Sequence, residues 1–255
     1  YFGTDEEAVR NATKASPEYK GTKALGDEYY DLAKLEWEAT YYWRVDEINT
    51  DNPDSPWVGN VWSFTTAGFL IVDDFENYDA GDNQIWYAWH DGLGYGTPGV
   101  DPYFAGNGTG AAVGDETTPS FTEETIVHGG SQAMPLFYDN NKQGFFKYSE
   151  AELTLTDLRD WTENGINKLT IWFRGNSDNA AELMYVALNG SAVVTHDNPN
   201  AAQIDTWTQW TIDLQAFADQ GVNLANVNTI ALGLGNKKNP FAGGSGTMYF
   251  DDIQL

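Results

Sequence analysis

Between glycines and prolines that recur every few residues, the chain runs in short stretches where apolar and polar residues alternate one for one, as in NKLTIWFRG, LMYVALNG and TWTQWTIDL. Alternation of period two puts successive side chains on opposite faces of an extended strand, one face buried and the other wet. Many such strands separated by turn residues predict an all-β architecture, a sandwich or a jelly roll. Helical spacing is confined to TDEEAVRNAT and LQAFADQG, so one or two short helices are expected.

The 255 residues suffice for one large β domain or two smaller ones with real cores. Aromatic residues make up 15% of the chain, which excludes disorder. Thirty-eight acids against thirteen bases give a formal charge of −25. A nucleic-acid backbone or an anionic membrane surface would be repelled, leaving cations and neutral polymers as partners. No apolar run approaches the ~20 residues that span a bilayer, so no membrane insertion is expected. There is no cysteine, and any metal would therefore be a hard ion held by oxygen, calcium before zinc. Glycosylation triplets fall at Asn11, Asn107 and Asn189.

The natural break is SFTTAGF, where a strand ends and a short hinge precedes a new apolar run, giving domains of residues 1–67 and 70–255. In LEWEATYYWRVDEIN, residues Leu35, Tyr41, Val45 and Asn49 have the spacing of the penultimate-strand pattern of fibronectin type III domains, and VWSFTT is similar to their last strand. The first segment thus resembles the later part of that immunoglobulin-like sandwich. Alternation points Tyr41, Trp43 and Val45 inward and Tyr42 and Arg44 outward. The resemblance implies that Tyr41 is a corner tyrosine bonded to nearby backbone. It also implies that two strands are missing, supplied by a longer protein or by strand addition from a neighbouring copy.

In the second segment, the acidic stretch DDFENY, the stretch VHGGSQAMPLFYD, the strand DTWTQWTIDL and the closing YFDDIQL carry a resemblance to galactose-binding-like jelly rolls. These include carbohydrate-binding modules of secreted bacterial glycoside hydrolases. Together with YYWRVDEIN and VWSFTT they are also similar to long multidomain secreted proteins of planctomycete type. The resemblance implies an extracellular or cell-surface setting, neighbouring first and last strands, and a structural calcium between them. Alternation places Asp74 and Glu76 on one face of the first strand, and Asp251 on the face of Ile253 and Leu255 in the last. A carboxylate there needs neutralising, because burying an unpaired ion costs several kcal/mol. Asp74, Glu76 and Asp251, with carbonyls of the His128–Ser131 turn around Gly130, would supply the ligands. Solvated strand ends, or pairing with Arg174 or a lysine, is the alternative.

Sugar recognition combines aromatic faces with planar hydrogen-bonding groups. LTIWFRG directs Trp172 and Arg174 to one side, and Tyr148, Glu152 and Tyr185 are expected on neighbouring strands of the same groove. The competing reading packs Trp172 under a loop. Trp86 and Trp89, in the glycine-rich IWYAWHDGLGYG, are further candidate contacts or else plugs over the core. Catalysis has little support: no nucleophile elbow, HExxH or phosphate-binding loop occurs. Glu150 and Glu152, about 7 Å apart on one strand side, fit a glycosidase pair only by spacing. The expectation is a non-catalytic, calcium-stabilised extracellular module that binds a polysaccharide or other glycan. The alternative is a protomer of an extracellular fibre or surface layer that exchanges strands with its neighbours.

Overall fold

A computed structural model of the chain describes residues 1–27, 29–32 and 34–255. It divides into two compact units, Tyr1–Leu70 and Ile71–Leu255.

In the first unit, β1 (Phe2–Gly3), β2 (Thr40–Trp43) and β3 (Trp62–Thr65) form an antiparallel sheet in that order, with helix α1 at Glu6–Asn11. Asp5 caps the helix by accepting the Ala8 N–H, and the acids Glu6 and Glu7 sit in its first turn, where the helix dipole favours them. Tyr41 is buried, and its hydroxyl accepts the Glu36 N–H at 2.9 Å. The expected alternation fails after it: Trp43 and Val45 are exposed, whereas Arg44 is only 3% exposed. The cause is the helix end. Arg44 donates to the carbonyls of Val9, Arg10 and Ala12 at the C-terminus of α1, where backbone donors run out, and pairs with Asp46 at 2.8 Å.

The second unit is a β-sandwich. Its strands are β4 (Ile71–Asp73), β5 (Trp89–His90), β6 (Tyr95–Thr97), β7 (Val100–Phe104), β8 (Ala111–Val113), β9 (Met134–Asp139), β10 (Tyr148–Thr154), β11 (Lys168–Arg174), β12 (Met184–Leu188), β13 (Ala192–Thr195), β14 (Thr208–Asp213), β15 (Thr229–Gly235) and β16 (Ser245–Gln254). Single-turn helices α2 (Ile85–Ala88) and α3 (Gln215–Ala218) interrupt them. One sheet runs β13-β12-β15-β10-β5, and the other β14-β11-β16-β9-β8 with β4 also paired to β16. All pairs are antiparallel.

Leu169, Ile171 and Phe173 on β11 and Met248 and Phe250 on β16 are buried on the inner face of the six-stranded sheet. Met184, Val186, Leu188, Ile230, Leu232 and Leu234 are their counterparts on the five-stranded sheet. On β11 every second residue is buried, whereas β12 and β15 in the middle of the five-stranded sheet are buried on both faces, with Tyr185, Ala187 and Ala231 clustered on the outer one.

Candidate functional site

At the junction of the first and last strands, β4 lies beside β16 with Asp73 opposite Ile253. The pairing of β11 and β16 slips by one residue, where Asp252 takes a φ of 45°. This bulge re-phases the strand. Asp251 consequently faces outward opposite Trp172 while Ile253 points to the core, correcting the expectation that Asp251 and Ile253 share a face.

Asp251 is nonetheless fully buried, because the 128–132 turn covers it. Its carboxylate accepts the N–H groups of His128 at 2.8 Å, Gly129 at 3.2 Å and Asp252 at 2.8 Å. Burial pushes its pKa up to about 6 despite these donors, and neighbouring Asp252 adds to the rise. Glu76 binds the other half of the turn, accepting from Ser131 N at 2.9 Å, Ser131 Oγ at 2.8 Å and Gln132 N at 2.8 Å. Burial acts against this carboxyl, but the Ser131 and Gln132 donors outweigh it and hold its pKa below the usual range. Asp73 is half-buried, its carboxylate accepting the Tyr78 hydroxyl at 2.6 Å and Trp89 Nε1 at 2.8 Å.

The ends of the unit therefore meet on one turn, but through its N–H donors rather than its carbonyls. Asp74 takes only the Glu76 N–H, at 3.3 Å. At Gly130 a side chain would collide with the Glu76 carboxylate. Among the described residues no three His, Asp or Glu side chains gather closely enough to hold a metal ion. Glu76 and Asp251 turn their carboxylates to the N–H groups of the 128–132 turn, while Asp74 accepts only the Glu76 N–H, so the four expected calcium ligands are not gathered on one point here.

The outer face of the five-stranded sheet has a different character. Register places Tyr185 of β12 and Glu150 of β10 on either side of Gly233 in β15. With no Cβ at Gly233, the two side chains meet over it, the Tyr185 hydroxyl donating to Glu150 Oε2 at 3.0 Å. Lys237, two residues beyond β15, donates to both Glu150 oxygens at 2.7 and 2.6 Å and lies 6.0 Å above the Tyr148 ring. Burial, reinforced by the Glu150 charge, lifts the Tyr185 phenol well above its usual value. Tyr148 stacks on Phe146, which is 57% exposed. Glu152 stands opposite His90 in register, and His90 stacks on Phe104. Leu183, Tyr185, Val193, Thr195, Gly235 and Asn236, with Lys237 and Lys238, line a cavity of about 90 Å³. Enclosed ligand pockets run to roughly 300–1,000 Å³, and this cavity falls well short of that range.

Tyr148, Glu152 and Tyr185 thus share this sheet, while Trp172 and Arg174 sit on the outer face of the other one. The single groove expected from the sequence splits in two, because adjacency of strands in a jelly roll does not follow chain order. Trp172 lies under a turn: the His128 ring stacks on it with centroids 3.8 Å apart. Trp89 is fully buried as a core plug, and Trp86 packs against Tyr87 and Tyr95.

Of the glycosylation triplets, Asn107 donates to the Glu150 carbonyl at 2.8 Å, Asn189 accepts from Asn228 and Thr229, and Asn11 is exposed on α1. Neither strand alternation nor motif spacing singles out Lys237. The signal for its groove was there in IALGLGNKK, where small residues occupy every second position of a strand that ends in two lysines.

No known family profile matches the sequence, and no curated protein matches it. Among solved structures, the family 11 carbohydrate-binding module of the cellulosomal cellulase Lic26A-Cel5E of Clostridium thermocellum is similar at 16% identity and a TM-score of 0.43, over 74% of this chain and 94% of that one. The family 30 module of cellulase Cel9D-Cel44B from the same organism is similar at 13% identity and 0.42, over 72% and 96%. An exo-β-agarase is similar at 14% and 0.44, over 72% of this chain and 24% of that one.

Proposed function

We propose that the second unit is a non-catalytic module that holds a neutral glycan along the outer face of its five-stranded sheet. The observation that carries this reading is the Tyr185–Glu150–Lys237 cluster beside the Tyr148–Phe146 stack. Here the buried Tyr185–Glu150 pair, held by Lys237, adjoins an aromatic platform whose outer ring, Phe146, is open to solvent. Such a combination suits a sugar, whose ring faces stack on aromatics and whose hydroxyls take up fixed donors and acceptors. Glu152, His90 and Thr195 extend the polar lining on either side.

The same cluster argues against chemistry. A glycosidase needs two carboxyls free to move protons. Both oxygens of Glu150 are held by Lys237, and the Tyr185 phenol, its pKa raised, stays protonated and is a poor proton donor. The expected setting is extracellular or at a cell surface, with the first unit linking the module to a larger protein. Affinity electrophoresis in gels containing soluble neutral polysaccharides tests the reading. Retardation by at least one polymer should be lost in Tyr148→Ala and weakened in Lys237→Ala. Retention of full binding by both variants would remove this face as the site.

A further inference from the structure

On the outer face of the six-stranded sheet, the His128 imidazole lies flat on Trp172, with planes 17° from parallel and centroids 3.8 Å apart. A flat ring at that separation takes the place where a pyranose would stack on an indole. Trp207 meets the same imidazole edge-on at 5.8 Å. The surrounding donors are uncommitted. The Trp207 indole N–H is buried with no acceptor, and neither the half-buried Arg174 guanidinium nor the exposed Gln209 amide has a bonded partner among the described residues. Gln209 and Arg174 both flank Trp172, Gln209 opposite it in register on β14 and Arg174 two residues along β11. A buried donor without an acceptor is a cost that a folded chain rarely leaves unmet.

We propose that Trp172, with Arg174 and Gln209, forms a second sugar-stacking site that the His128 side chain occludes. The imidazole stands where a neutral sugar ring would lie, and its Nδ1 is tethered to Asp252 Oδ2 at 2.6 Å. The turn that carries His128 does not depend on that side chain. Its backbone is fixed by Asp251 at residues 128 and 129 and by Glu76 at residues 131 and 132. Truncating His128 should open the indole face and leave the scaffold intact.

This inference borrows only the ligand class from the proposed function. The two sites lie on opposite sheets, so either can fail alone. The test uses the full chain carrying Tyr148→Ala, which silences the first site, in affinity gels containing barley β-glucan, xylan or galactomannan. Adding His128→Ala should tighten apparent binding to at least one polymer by about threefold or more. His128→Asn, which removes the ring but can still bond Asp252, should do the same. Trp172→Ala on top of either should abolish the gain, and acrylamide should quench tryptophan fluorescence more strongly once His128 is truncated. Unchanged binding in both His128 variants, or a gain that survives Trp172→Ala, would overturn the proposal.

Discussion

The carboxylate of Glu76 takes both the backbone N–H and the hydroxyl of Ser131, a residue 55 positions later in the chain. Gln132 adds a third donor, and Asp251 secures the preceding residues of the same turn. The beginning, middle and end of the sandwich are tied at one place by charge-assisted hydrogen bonds, each worth about 1.5–3 kcal/mol in such settings. Partial exposure of Glu76 lets water replace some of what is lost. Glu76→Ala should therefore destabilise the unit by about 2–3 kcal/mol, read as a lower urea midpoint at unchanged slope.

Because these carboxylates are not gathered on one point, calcium should add little. An ion bound at 100 times its Kd would contribute about 2.7 kcal/mol, a rise of roughly 5–10 °C in Tm for a unit of this size. Melting in excess calcium and in EDTA should give the same midpoint. A rise of that order with calcium would restore the ion to the junction.

Asp251 gives the unit an unusual pH dependence. Its folded pKa, about 6, lies above the ordinary 3.8, so the folded state holds the proton more tightly than the unfolded chain. Its contribution is stabilising below pH 3.8 and is lost as pH rises through about 6. Asp73, raised chiefly by burial, acts in the same direction. Glu76 and Glu123 are lowered by their hydrogen bonds, so their stabilisation is present above the ordinary 4.5 and is lost as pH falls toward their folded values. Tm should accordingly be highest near pH 5, with a fall toward neutrality that flattens in Asp251→Asn. An unflattened slope in that variant would remove Asp251 as its source.

The β pattern was readable because alternation is a local property: LTIWFRG, LMYVALNG and TQWTID all lie on the strands that their period announces. Helical spacing in TDEEAVRNAT likewise marks α1. What alternation could not supply was phase across an irregularity. The bulge at Asp252 turns Asp251 away from the face of Ile253, and Arg44 is drawn inward by helix carbonyls thirty-odd residues away. Nor could it supply which strands are neighbours. Trp172 and Tyr185 lie thirteen residues apart in the chain yet belong to different sheets, so a groove drawn from both had no physical basis.

Gly233 should not tolerate a side chain. A methyl group there would overlap the Tyr185 ring and drive it off Glu150. Gly233→Ala should cost about 1–3 kcal/mol through overpacking and also weaken glycan binding. A stability loss with binding intact would show that Tyr185 only supports the sheet.

In the first unit, Arg44→Met would leave Asp46 as a nearly buried, uncompensated charge and remove the side-chain donor from the carbonyls of Val9, Arg10 and Ala12 at the end of α1. A loss of about 3–5 kcal/mol is expected. Amide exchange should quicken across Glu6–Ala12 and stay unchanged at Leu169–Phe173.

A sugar held on the five-stranded sheet perturbs the amides of that sheet. Amide chemical shifts followed while the unaltered chain is titrated with oligosaccharides of whichever polysaccharide retards it should move at Tyr148, Glu150, Gly233, Gly235 and Lys237. Shifts confined to Thr170–Arg174 and Tyr249, with the five-stranded sheet silent, would contradict it.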